Sequence, residues 1–120
     1  MAPLQILVVD DDALVLSSTA MMVEDLGHHA TGALSGAEAM SLVEVERFDL
    51  VITDFAMPGM TGAELIKTLA KTHPDLPCLL ATGYAVLPPG MPKDLVRLDK
   101  PFNEDRLGES IALALGGFRP

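Results

Sequence analysis

Four mostly apolar, strand-like runs in this chain each end on a side chain able to do chemistry. Leu50-Val51-Ile52-Thr53 leads to Asp54, Leu4 to Val9 leads to Asp10-Asp11-Asp12, Leu76 to Ala81 leads to Thr82, and Leu95 to Leu98 leads to Asp99-Lys100. Taken alone, Asp54 would pass as a turn or helix-capping acid. Its company argues otherwise, because acids gathered at strand ends repel one another and each disfavours its neighbour's ionised form unless something neutralises the group. Oxygen donors without nitrogen or sulfur select a hard cation, and an octahedral Mg²⁺ needs only one or two carboxylates plus a phosphoryl oxygen. Mg²⁺ is therefore the expected cofactor, with Mn²⁺ as its substitute. A cation beside one carboxylate, with a Lys ammonium and a Thr hydroxyl nearby, forms a clamp for a phosphoryl group, whose transfer is mostly positioning and charge stabilisation. Asp54 would be the nucleophile and an aspartyl phosphate the product.

The elements that must position these residues follow from the pattern between them. Helical spacing of Leu14, Val15, Met21, Met22 and Leu26, closed by Gly27, predicts a helix over Ala13 to Leu26. His28 to Ala33 is weakly patterned and reads as a partly exposed edge strand. Ser35 and Glu38 form a capping-box pattern before a helix with Ala39, Leu42, Val43 and Val45 on its apolar face. Thr61 and Glu64 repeat that pattern before Leu65, Ile66 and Leu69, in a helix that ends near His73. Pro88, Pro89, Gly90 and Pro92 predict a fourth helix that is short or replaced by a loop. Asn103 starts the last helix, which carries Leu107, Ile111, Leu113, Ala114 and Leu115 up to Gly116-Gly117.

Strands alternating with helices imply right-handed crossovers and a parallel sheet covered on both faces. The expected fold is α/β: a doubly wound, five-stranded parallel sheet in the order 2-1-3-4-5, flavodoxin-like. In that order the first and third strands are neighbours at the topological switch point, which sets Asp10, Asp11 and Asp12 beside Asp54. Thr82 and Lys100 reach the same sheet edge.

Composition narrows the function. The 120 residues are 49% hydrophobic, enough for one domain with a core of its own. Eight Lys and Arg against 17 Asp and Glu give a net charge of −9, which disfavours nucleic acid and anionic membrane as partners. No apolar run approaches a membrane span and no basic segment leads into a signal-peptide core, so the chain is expected to be cytoplasmic. A single cysteine, Cys78, allows neither an internal disulfide nor a thiolate metal site and reads as a buried core thiol. His28, His29 and His73 lack partners at metal-ligand spacing. Met21, Met22 and Met40 are expected on helical core faces. Asp12 reads as a helix-start acid rather than a metal ligand.

The motifs Val8-Val9-Asp10-Asp11-Asp12, Asp54 before Met57-Pro58-Gly59, Ala81-Thr82-Gly83 and Lys100-Pro101-Phe102 together resemble the receiver domain of two-component response regulators. The resemblance covers essentially the whole chain, as one domain over residues 1–120. It implies that Asp54 is the phosphoacceptor, that Asp11 binds the metal directly and Asp10 largely through water, and that Ala56 contributes its backbone carbonyl. Thr82 and Lys100 would contact the phosphoryl oxygens, and the Lys100-Pro101 bond would be cis. The implied donor is a histidine kinase or a histidine phosphotransfer protein, and the implied state a monomer or weak dimer. One departure stands out: receivers often carry an aromatic residue three positions before the lysine, where this chain has Arg97. The Ala81-Thr82-Gly83-Tyr84 run resembles a subgroup of single-domain regulators and hybrid-kinase receivers. In it Tyr84 is either a substitute switch aromatic or a packed loop residue.

Two rival functions fit less well. A phosphohydrolase of the haloacid-dehalogenase type would resemble this site but carries an Asp two positions after the nucleophile, where Ala56 stands. A receiver-like module that only binds partners would not need the acids, Thr82 and Lys100 together. The 120 residues run to Pro120, just past the last expected helix, and both a stand-alone regulator and the receiver of a longer protein, including a hybrid histidine kinase, are expected readings.

Overall fold

The computed structural model describes residues 3–83, 87–92 and 95–116. In chain order the elements are β1 (Gln5–Val9), α1 (Ala13–Asp25), β2 (His29–Ala33), α2 (Gly36–Val45), β3 (Leu50–Asp54), α3 (Gly62–Thr72), β4 (Cys78–Thr82), β5 (Val96–Asp99) and α4 (Glu104–Ala114). The strands form one parallel sheet in the order β2-β1-β3-β4-β5. Between β4 and β5 no helix occurs among the described residues, in keeping with the prolines there.

Successive strand residues point to opposite faces, and both faces are covered. Leu7, Val9 and Val51 pack with Ala39, Val43, Leu65 and Leu69 under α2 and α3. Ile6, Val8, Leu50, Ile52, Leu79 and Leu98 pack with Val23, Leu107 and Ile111 under α1 and α4. This is why β1 after Gln5 and β3 up to Thr53 read as nearly continuous apolar runs rather than alternating ones. β2, at the edge, is mostly exposed or half-buried.

Local signals set the helix ends. Asp12 caps α1, its Oδ1 accepting from the amides of Leu14 (2.9 Å) and Val15 (3.2 Å). A complete capping box opens α3: Thr61 Oγ1 accepts from the Glu64 amide at 3.2 Å while Glu64 Oε1 accepts from the Thr61 amide at 2.9 Å. At α2 the box is offset by one residue. Ser35 Oγ accepts from Glu38 N as expected, but Glu38 Oε1 reaches back to Leu34 N at 2.7 Å. Gly27 follows α1 at φ +94, where glycine adopts the left-handed conformation at no steric cost.

Several expectations about helix faces are corrected. On α1, Leu14 and Met21 are 84% and 67% exposed, while Thr19 and Val23 are buried and Leu16, Met22 and Leu26 pack beside them. Apolar residues on both sides of α1 make its inward face ambiguous from spacing alone. Val45 is likewise exposed at the end of α2, as are Leu113 and Leu115 on and just past α4. β4 begins at Cys78 rather than Leu76, because Pro77 has no amide to donate and contributes only its carbonyl, which accepts from Val51 N at 3.0 Å. β5 is shifted by one residue, to Val96–Asp99. Cys78 is half-buried, packed against the α2 and α3 side of the core.

Candidate functional site

The C-terminal ends of β1, β3, β4 and β5 meet at one edge of the sheet. Val9 is in register with Thr53, Asp54 with Ala81, and Thr82 with Asp99, so Asp10, Asp54, Thr82 and Lys100 leave their strands side by side. Asp10, Asp54 and Thr82 are buried there and Asp11 is exposed. One carboxylate oxygen from each of Asp10, Asp11 and Asp54 lies within 4.8 Å of the others. The Lys100 ammonium donates a hydrogen bond to Asp54 Oδ1 and stands 3.9 Å from Asp10 Oδ2. Its backbone amide donates to the Thr82 carbonyl at 3.0 Å, and the Lys100-Pro101 peptide is cis.

Burial pushes the Asp10 carboxyl above its ordinary pKa of 3.8, since taking a charge out of water disfavours the ionised form. The Asp12 amide, which donates to Asp10 Oδ1 at 2.9 Å, works against this, the Asp54 charge adds to it, Lys100 opposes it and Asp11 adds a little. Three carboxylates against one ammonium leave the pocket anionic. An all-oxygen donor set with surplus negative charge, partly open to solvent at Asp11, fits a hard divalent cation.

Around Asp54 the main chain is held closely. The buried Thr53 hydroxyl donates to the Asp54 carbonyl at 3.0 Å, and the Phe55 amide donates to the Ala81 carbonyl at 3.0 Å. Gly62, the first residue of α3, donates from its amide to the Phe55 carbonyl at 2.9 Å. A Cβ on Gly62 would collide with the Asp54 carbonyl oxygen and lie 2.9 Å from the Asp54 carbonyl carbon and 3.0 Å from Phe55 Cα. Ala56 lies exposed in the turn that follows, and Met57 turns back into the core beneath α2 and α3.

Arg97 lies on β5, with its Nε 2.7 Å from Asp99 Oδ1. Tyr84 falls outside the described residues. Sequence reasoning passed over Thr53 and Gly62. A hydroxyl inside an otherwise apolar run, directly before the acid, was the available signal for Thr53.

Comparison with known proteins agrees with this geometry. A family model described as the response regulator receiver domain matches residues 6–112. The chain belongs to the receiver family. As a receiver it is 33% identical over 103 residues to the response regulator receiver protein CpdR of Brucella abortus (strain 2308), covering 82% of this chain and 86% of that one. It is 31% identical over 117 residues to the transcriptional regulatory protein GlrR of Escherichia coli (strain K12), covering 94% of this chain but 26% of GlrR. The receiver thus spans about a quarter of that relative and most of CpdR. Among solved structures, a CheY-like response regulator receiver domain protein from Methanospirillum hungatei JF-1 superposes with a TM-score of 0.84 at 31% identity, over 97% of this chain and 96% of the other.

Proposed function

We propose that this receiver takes a phosphoryl group onto Asp54 from a phosphohistidine of a histidine kinase or phosphotransfer protein, and that the modified domain engages its partners differently. The carrying observation is the placement of Asp54: buried at the end of β3, bonded to the Lys100 ammonium, and within 4.8 Å of the carboxylates of Asp10 and Asp11.

Asp11, Asp10, Asp54 and the Ala56 carbonyl would hold Mg²⁺, or Mn²⁺ in its place. Bound there, the cation supplies charge neutralisation for the acidic pocket and the incoming phosphoryl oxygens. The chain's own residues do the rest. An Asp54 carboxylate oxygen attacks phosphorus, the new O–P bond forms as the donor's N–P bond breaks, and the electron pair leaves with the donor imidazole, which is protonated from solvent. Lys100, already at the carboxylate, follows the negative charge onto the phosphoryl oxygens. The Thr82 hydroxyl, at the end of the neighbouring strand, gives a further donor.

For the donor, the exposed apolar residues Leu14, Val15 and Met21 on α1, the helix that begins directly after Asp12, supply a contact surface beside the site. The module signals rather than turns over a substrate: Ala56 offers no acid or base where a phosphohydrolase of the haloacid-dehalogenase type would need one. Relatives of similar length and much longer ones both carry such a domain. Service as a single domain over residues 1–120 and service as a shuttle within a hybrid kinase are both compatible with the same site chemistry. Incubation with acetyl phosphate, with Mg²⁺ or with a chelator, followed by intact-mass analysis, tests the reading. One phosphate should be gained with the metal and none without.

A further inference from the structure

We propose that Thr53 and Gly62 are positioning residues for the phosphoacceptor, both engaging the Asp54 carbonyl and so fixing the main chain that aims both the Asp54 carboxylate and the Ala56 carbonyl. This rests on the reading of Asp54 as phosphoacceptor.

From the strand side, the Thr53 hydroxyl, fully buried, donates to the Asp54 carbonyl at 3.0 Å. Valine has nearly the shape of threonine and costs less to bury, so a hydroxyl at this depth is explained by the bond it makes. The first turn of α3 also presses its backbone on the same carbonyl. Gly62 is buried, and any Cβ there would run into the main chain of Asp54 and Phe55, whose atoms cannot swing aside as a side-chain tip can. The Gly62 amide also holds the next carbonyl, that of Phe55, at 2.9 Å. Two consecutive carbonyls are thereby pinned, which restricts the torsions around Asp54 and Phe55 and sets where Ala56 begins. Displacing a nucleophile by about 1 Å can cost on the order of 100-fold in rate.

The test is the initial rate of acetyl phosphate labelling at saturating Mg²⁺, with the Mg²⁺ concentration for half-maximal rate, for wild type, Thr53→Val, Thr53→Ser and Gly62→Ala. Val23→Ala, in the core on the opposite sheet face, serves as the control for lost stability. Thr53→Val should label several-fold more slowly and Thr53→Ser, which keeps the hydroxyl, close to the wild-type rate. Gly62→Ala should be slower still, by up to about 100-fold, and if it does not fold, the Thr53 pair decides. Wild-type rates in Thr53→Val and in folded Gly62→Ala would overturn the proposal, as would equal slowing by Val23→Ala. A wild type that gains no phosphate would overturn the phosphoacceptor reading instead. Calorimetric Mg²⁺ titration then still judges the clamp, which predicts weaker binding in Thr53→Val and is overturned by equal binding or by none in wild type.

Discussion

Lys100 is tied to the site at both its ends: its ammonium bonds Asp54 Oδ1 while its backbone amide bonds the carbonyl of Thr82. The side chain that faces the acids is therefore carried by the strand next to the one that ends in the hydroxyl. Lys100 thus links the Asp54 carboxylate to the end of β4.

Removing that ammonium should weaken the metal-free protein. Lys100→Ala leaves Asp54 and Asp10 facing each other without a cation, and a pair broken in a buried setting costs several kcal/mol. Here the Lys100 side chain is 31% exposed, so solvent screens part of the loss. A fall of about 1–2 kcal/mol in urea denaturation without metal is expected. An unchanged midpoint would show that the ion pair contributes nothing to the apo fold.

Asp10→Asn should act in the opposite direction. The fold holds Asp10's proton more tightly than the unfolded chain does, mainly through burial. Ionised Asp10 therefore costs stability, and the cost is full above its folded pKa and vanishes below its unfolded pKa. Asparagine keeps the oxygen that accepts from the Asp12 amide. Without metal the variant should be more stable than wild type at neutral pH, with the gap closing as pH falls toward 3.8. Denaturation curves at a series of pH values measure this, and a variant less stable at neutral pH would contradict it.

Much of this site is legible in the amino-acid sequence alone, because each of its acids, its threonine and its lysine ends an apolar run. Strand ends in a doubly wound sheet share one edge. The inward face of α1 is not legible, since Leu14 and Met21 on one side are as apolar as Leu16 and Val23 on the other. Gly62 could not be singled out because its role depends on how closely α3 approaches β3, a distance that no local pattern encodes. Arg97, which in β5 stands where many receivers have an aromatic residue, pairs with Asp99 two residues on. That partner follows from the period of the strand once β5 is known to reach Asp99.

Met60 locks the turn after Asp54 onto the start of α2. A Cβ at Gly36 would lie 2.8 Å from Met60 Sδ and 3.0 Å from its Cβ and Cγ. Gly36→Ala should cost about 1–3 kcal/mol by overpacking, and Met60→Ala made in the same chain should recover part of it. A double-mutant cycle measures the coupling. Additive effects would mean that the two residues do not press on each other.

Cys78 should be a poor nucleophile in the folded protein. Burial pushes its thiol up to about 12, so at pH 8 it stays protonated, and the thiolate is the reactive form. Reaction with a disulfide reagent at pH 8 should be slow in buffer and fast in denaturant. Equal rates would show that the thiol is accessible and ionisable in the fold.

The most direct measurement is of where the phosphate goes. After labelling with acetyl phosphate and Mg²⁺, borohydride reduction of the acyl phosphate and peptide mass spectrometry locate the modified carboxyl. The reduced residue should be Asp54 alone, with Asp10 and Asp11 unmodified and Asp54→Asn gaining no label. Label on another acid or on a histidine, or an Asp54→Asn protein that labels as fully as wild type, would contradict Asp54 as the phosphoacceptor.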